Sequence, residues 1–248
     1  MRIAALYDIH GNLPALEAVL AEVRHHKIDE IVVGGDVVPG PMSRETLALL
    51  QSCEIPIQYI RGNCEVAVLS AMAGKDPGPM PESAKETIRW TAKSLYPDFQ
   101  SVFEGWPKTA RIDMPETANV LFCHATPRDE NEIFTRLTPE DRLKPIFEKC
   151  DADLVVCGHT HMQFEREIAG IRVVNAGSVG MPFGAPGADW LLLGPNIELR
   201  HTDYDLEAAA AQIRATNYPD REEFISKYLL HPPDEDTMLK AFTAASMK

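Results

Sequence analysis

The stretch Arg2-Ile3-Ala4-Ala5-Leu6-Tyr7-Asp8-Ile9-His10-Gly11-Asn12 decides the fold. An apolar run stops abruptly at an aspartate, a histidine and an asparagine. Apolar residues at both alternating positions describe a strand buried on both faces, as in a parallel or mixed sheet. If the backbone stays extended, Asp8 and His10, two residues apart, leave the same side. Gly11 permits a tight bend, and Asn12 is placed to cap a helix beginning near Leu13-Pro14. Ligand-type side chains at the carboxyl end of a strand, ahead of a helix, stand where open α/β sheets place their sites.

The same grammar repeats downstream. Leu13, Leu16, Val19, Leu20 and Val23 recur at helical spacing. Ile31-Val32-Val33 is a second strand that runs into Gly34-Gly35-Asp36. Ser43 is placed to cap a helix through about Leu50, and Ile57 to Ile60 is a third strand running into Arg61-Gly62-Asn63-Cys64-Glu65. Three β-α units predict parallel strands with right-handed crossovers. They also predict that Asp8, His10, Asp36 and Asn63 meet at one sheet edge.

The alternation breaks at a Pro/Gly-rich loop, Gly74 to Pro81, followed by a helical pattern from Ser83 to about Phe103. This insert, residues 74–107, reads either as a cap over the sheet edge or as a packing layer within one domain spanning 1–248. Ala110-Ile112 and Val120-Cys123 are strands, the second ending at His124. A loop carrying Arg128 and Glu132 joins the insert as a candidate overhang, with Arg128 a candidate substrate contact. Thr138-Pro139-Glu140-Asp141 is a helix start. Leu154-Cys157 is a strand ending in Gly158-His159-Thr160-His161. Residues 164–174 and 191–199 read as hairpins about Ala169-Gly170 and Gly194-Pro195-Asn196. In the loop Asn175 to Gly180, Gly177 and Ser178 are either a structural turn or, with Asn12, part of a phosphate pocket. A helical tail from Asp205 turns Leu206, Ala209, Ala210 and Ile213 inward, and His25, His26, His201 and His231 read as surface residues.

The 248 residues carry a net charge of −13 and are 45% apolar, enough for a real core. Such acidity disfavours double-stranded nucleic acid and anionic membranes as partners. No window approaches a membrane span, and the N-terminal apolar run is too short for a signal peptide. Cysteines at 53, 64, 123, 150 and 157 form no CxxC pair, which suits a reducing cytoplasm.

Carboxylates and imidazoles at the ends of buried strands are costly unless something pairs them, and a cation does. Asp8, His10, Asp36, Asn63, His124, His159 and His161 are more ligands than one tetrahedral ion takes. Two divalent ions sharing one carboxylate fit, with Asp36 the natural bridge. Aspartates and neutral histidines without thiolates suit Mn²⁺, Fe or Zn²⁺ more than a structural Zn–S₄ site, with Mn²⁺ the first expectation and Ni²⁺ a further alternative.

The order Asp8-x-His10, Gly35-Asp36, Gly62-Asn63-x-Glu65, His124 and Gly158-His159-x-His161 resembles the calcineurin-like metallophosphoesterases, and within them the small bacterial and archaeal phosphodiesterases. The resemblance runs from Met1 to about Gly180. It implies a four-layer α/β/β/α sandwich with a dinuclear site at one rim. It implies Asp8, His10 and His161 on one metal, Asn63, His124 and His159 on the other, and Asp36 between them. It implies attack on a small phosphodiester by a hydroxide bridging the metals, with Asp36, Asn63, Cys64 and His10 at the reacting centre. Alternatives are a phosphomonoesterase or protein phosphatase, and a non-catalytic scaffold of the same fold. One departure stands out: the family usually has histidine where this chain has Cys64, which reads either as packing or as a catalytic thiol with a lowered pKa. The oligomeric state is left open.

Overall fold

The computed structural model describes residues 1–114 and 118–245. β1 (Ile3–Leu6), β2 (Glu30–Val33) and β3 (Ile57–Tyr59) pair in parallel, Leu6 opposite Val33 and Val33 opposite Tyr59. Helices α1 (Leu13–Val23) and α2 (Ser43–Gln51) make the crossovers, and α3 (Asn63–Met72) leaves β3. The second sheet is built from β4 (Thr109–Met114), β5 (Ala118–Cys123), β6 (Leu154–Cys157), β7 (Phe164–Ile168) and β8 (Ile171–Asn175), in the order β4-β5-β6-β8-β7. The hairpin of β9 (Ala188–Leu193) and β10 (Ile197–Thr202) joins the first sheet through β1, giving β10-β9-β1-β2-β3.

Side-chain alternation sorts the core into layers. Ala4, Leu6, Ile31 and Val33 meet Leu16, Val19 and Val23 of α1. The other faces of β1 and β2, with Ile3, Ala5, Tyr7 and Val32, meet Val120, Phe122, Leu154, Val156 and Val174 of the second sheet. That sheet's outer face, with Leu121, Cys123, Val155 and Val173, packs on Leu143, Ile146 and Phe147 of α6 (Glu140–Phe147). A period of two thus produces helix, sheet, sheet and helix in succession, the four-layer sandwich. Each large side chain buried there contributes about 1.5–3 kcal/mol. A one-residue slip of β1 would exchange its two faces, so packing fixes the register and, with it, where Asp8 emerges.

The expected helix over 83–103 forms as two, α4 (Glu82–Leu95) and α5 (Gln100–Gly105). Pro97 lacks an N–H and forces Tyr96 into extended backbone, with ψ of 143°, so α4 stops. Ile88, Ala92, Leu95, Phe99 and Phe103 pack into the core beside α1, so the insert is a packing layer along this face. Two expected caps are not caps. Ser43 is the first residue of α2 and its hydroxyl donates to the Gly40 carbonyl; Thr138 Oγ1 accepts from Thr135 N while α6 starts beyond Pro139. The tail forms α7 (Leu206–Arg214), α8 (Arg221–Phe224) running on through a π-helical turn at Ile225–Leu230, and α9 (Glu235–Ala245). Ala209, Ala210 and Ile213 face inward as expected. Among the described residues, no helix is long and apolar enough to cross a membrane.

Candidate metal centre

β1 ends at Leu6, so Asp8 and His10 do not leave an extended strand. Both sit in the left-handed region, with φ of 53° and 48°. The turn beyond the strand, rather than the pleat, aims them together. Asp36, His159 and His161 share this conformation, with φ of 52°, 69° and 56°. Of seven non-glycine residues with positive φ among the described residues, five are candidate ligands. Each such residue costs on the order of 1–3 kcal/mol and persists only where surroundings impose it, typically at functional sites. Here the surroundings are hydrogen bonds: Asp8 N to Gly35 O at 3.1 Å, His10 N to Asp36 O at 2.9 Å and Gly180 N to Asp8 O at 3.0 Å. At Gly35, with φ of 92°, a Cβ would lie 2.4 Å from Gly62 N, so only glycine lets the Asp36 and Asn63 loops touch.

The side chains gather in two adjoining triads. Ligand atoms of Asp8, His10 and His161 lie within 4.8 Å of one another, as do those of Asp36, His124 and His159. A third group, His10, Asp36 and Cys64, joins the two. Nδ1 of His124 donates to the Gly34 carbonyl at 2.9 Å, so the neutral ring presents Nε2 as a lone pair. That lone pair faces Asn63 Oδ1 at 3.0 Å and Asp36 Oδ2 at 3.5 Å. His161 repeats the plan. Its Nδ1 donates to Met181 O at 2.9 Å, and its Nε2 lies 3.2 Å from His10 Nε2 and 3.5 Å from Asp8 Oδ1. Asp8 Oδ1 is buried without a hydrogen-bond partner. Buried electron pairs aimed at one another repel, and a cation among them removes the conflict. Burial pushes His10 and His159 down to about 4, leaving both rings neutral and able to ligate. For His124 and His161 burial acts downward too, but Asp36 and Asp8 outweigh it and push both up. The same negative field attracts a divalent ion in place of those protons. The residues therefore fit metal ions.

Glu65 organises this arrangement from below. It is buried, and its two oxygens accept four backbone N–H bonds: Oε2 from Asp36 at 2.9 Å and Gly62 at 2.7 Å, Oε1 from Val37 at 2.8 Å and Val38 at 3.3 Å. Burial and the neighbouring Asp36 raise its pKa, and the N–H bonds act in the opposite direction. Asp36 in turn accepts from Cys64 N at 2.9 Å, so the Asp36 loop and the start of α3 hold each other. Cys64 lines the site, where burial, and then Asp36, push its thiol up.

The expected phosphate-contacting residues are not brought to the site. Asn12 is fully buried as a cap. Its Oδ1 accepts from Ala15 N, and its Nδ2 donates to Gly180 O at 2.9 Å and to Tyr204 Oη at 3.1 Å. Ser178 Oγ donates to Asp8 O at 2.7 Å and accepts from Met181 N, so it braces the ligand turn. Gly177 has φ of 78°, and a Cβ would meet Asp189 and Gln163; it is a structural turn. Arg128 pairs with Glu132 and lines a separate cavity with Arg111 and Lys149, so its loop does not overhang the site. Asn12→Ala is accordingly expected to lower stability by about 1–3 kcal/mol, read as a fall in Tm, with KM for phosphoesters unchanged. A raised KM at unchanged Tm would instead make Asn12 a substrate contact.

Above the triads opens a cavity of about 430 Å³. His10, Asp36, Asn63, Cys64, His159 and His161 form its floor, and Ser83, Ala84, Thr87 and Ile88 of α4 form one wall. The tail lines it too, through Tyr218, Asp220, Glu223, Phe224 and Tyr228. Sequence reasoning stopped at Ile213 and missed it; clustered aromatics and acids between 218 and 228 were the available signal. His201, expected as a lone surface residue, is exposed but paired, its Nδ1 lying 2.7 Å from Asp189 Oδ1.

Residues 1–194 match the calcineurin-like phosphoesterase superfamily domain. The chain belongs to that superfamily, whose members are metal-dependent. Over 246 residues it is 26% identical to an uncharacterized protein of Methanocaldococcus jannaschii, covering 88% of this chain and 94% of the relative. A metallophosphoesterase from Sphaerobacter thermophilus superposes with a TM-score of 0.71 at 24% identity, covering 91% of this chain and 98% of its own. A hypothetical protein from Pyrococcus horikoshii superposes at 0.76 with 18% identity, covering 94% and 99%. These likenesses establish the α/β fold of the metallophosphoesterases.

Proposed function

We propose that the protein is a dinuclear metal-dependent hydrolase acting on a small phosphodiester in the cytoplasm. The observation that carries this reading is the pair of triads meeting at Asp36 and His10, with the Nε2 lone pairs of His124 and His161 turned inward. Asp8, His10 and His161 would hold one ion, Asn63, His124 and His159 the other, and Asp36 would bridge them. Two divalent ions, with Mn²⁺ the first to test, would supply Lewis acidity toward the phosphoryl oxygens and an activated water for in-line attack. The protein's own part is placement. The left-handed turns fix Asp8 and His10, the Gly34 and Met181 carbonyls set the tautomers of His124 and His161, and α4 with the tail lines the space beside the floor. The five free cysteines support a reducing compartment.

Cys64 stands where the family usually has histidine, so it bears on the leaving group. A thiol supplies a leaving alkoxide with a proton less readily than an imidazolium does, so esters whose leaving groups depart unaided should be favoured. With Mn²⁺ supplied, bis-p-nitrophenyl phosphate is expected to turn over faster than p-nitrophenyl phosphate; the reverse order would make the protein a phosphomonoesterase. Cys64→His is expected to raise rates on alkyl esters by roughly 10²-fold, the scale of general acid catalysis, and on p-nitrophenyl esters much less. Equal changes on both would leave position 64 as packing.

A further inference from the structure

Building on the phosphoester reading, we infer that the alcohol carried by the phosphate bears an ammonium group, and that Asp220, Glu223 and the aromatic wall of the tail receive it. The cavity lining is asymmetric. Its floor offers the candidate metal ligands, and the tail offers two carboxylates and three aromatic rings. No lysine or arginine lines the cavity among the described residues. A substrate bearing a second phosphate or a carboxylate would meet Asp220 and Glu223 with no cation in the lining to offset them. A neutral alcohol would leave the charge of Asp220 unmatched.

The wall is a built surface. Thr87 Oγ1 on α4 donates to Asp220 Oδ2 at 2.9 Å, tying the insert to the tail at the cavity's edge. Tyr218 and Phe224 are buried and stand edge to face at 6.1 Å, and Phe224 lies 6.0 Å from Tyr228. Trp90 backs Tyr218 at 5.6 Å. Glu223 pairs with Lys227, which does not line the cavity, so Asp220 is the carboxylate unopposed by a cation. Aromatic faces beside carboxylates attract ammonium groups through the ring quadrupole, a contact worth about 0.5–2 kcal/mol as desolvation increases. A volume of about 430 Å³ accommodates a phosphoester with a small alcohol. The net charge of −13 adds a field that favours cations at the mouth.

The test is calorimetric and needs no turnover. The full chain loaded with Mn²⁺ is titrated with phosphocholine and with its uncharged isostere 3,3-dimethylbutyl phosphate. Phosphocholine is expected to bind about tenfold tighter. In Asp220→Asn/Glu223→Gln the ratio should fall to about twofold, the share left to the rings, while the isostere keeps its affinity, which also shows that the variant is folded. Equal affinities in the unmodified chain would overturn the inference and leave the phosphoester reading standing. A tenfold ratio that survives the double substitution would overturn the assignment to these carboxylates. If neither phosphate binds, both the phosphoester reading and the inference fail.

Discussion

Asp36→Asn is expected to reduce hydrolysis of bis-p-nitrophenyl phosphate by roughly 10³-fold and to lower the Mn²⁺ bound per chain from about two to about one. The side chain stands between the triads. Its Oδ2 is 3.5 Å from His124 Nε2 and 4.0 Å from His10 Nε2, and its Oδ1 already accepts from Cys64 N. An amide retains that shape and one acceptor but loses the negative charge that holds two cations together. Because Asn also keeps a lone pair for the Cys64 N–H, the fold should survive, which circular dichroism checks. Activity within tenfold of the parent, at unchanged metal content, would remove Asp36 from the role of bridge.

The second large effect is on stability. Glu65→Leu is expected to lower Tm by about 10–20 °C in the presence of a chelator, so that metal binding does not contribute. Four backbone N–H groups lose their acceptor at once, from Asp36, Val37, Val38 and Gly62. Each buried unsatisfied donor costs about 1–3 kcal/mol, and in a chain of this size 1 kcal/mol moves Tm by about 2–4 °C. The leucine retains the volume, so the loss reports on hydrogen bonding and not on a cavity. Glu65→Gln should fall between, since its amide nitrogen faces two of the four donors. A Tm shift below about 3 °C for the leucine variant would show that the two loops stand without Glu65.

The architecture was legible because each buried strand ends in a residue that is expensive to bury alone. The parallel order of β1, β2 and β3, the two hairpins and the gathering of ligands at one rim follow from that cost and from strand periodicity. The local conformation was not legible. Asp8, His10, Asp36, His159 and His161 are left-handed; aspartate and histidine are enriched there, but most of them elsewhere have negative φ, so residue type alone does not announce it. The phosphate-pocket residues were misread for a related reason. Asn12, Gly177 and Ser178 have side chains or backbones suited to phosphate, but those same atoms satisfy the backbone of the ligand turns. The tail was missed because Tyr218, Phe224 and Tyr228 at near-helical spacing read as core, and two of them are indeed buried; only the fold shows that they also close a cavity 150 residues or so beyond Asn63.

The central claim is a pair of metal ions held by one carboxylate bridge, and the most direct measurement is electron paramagnetic resonance of the protein loaded with two equivalents of Mn²⁺. A bridged pair predicts an exchange-coupled multiline spectrum that collapses toward that of isolated ions in Asp36→Asn. A spectrum of isolated Mn²⁺ in the unmodified chain at full loading would contradict the account.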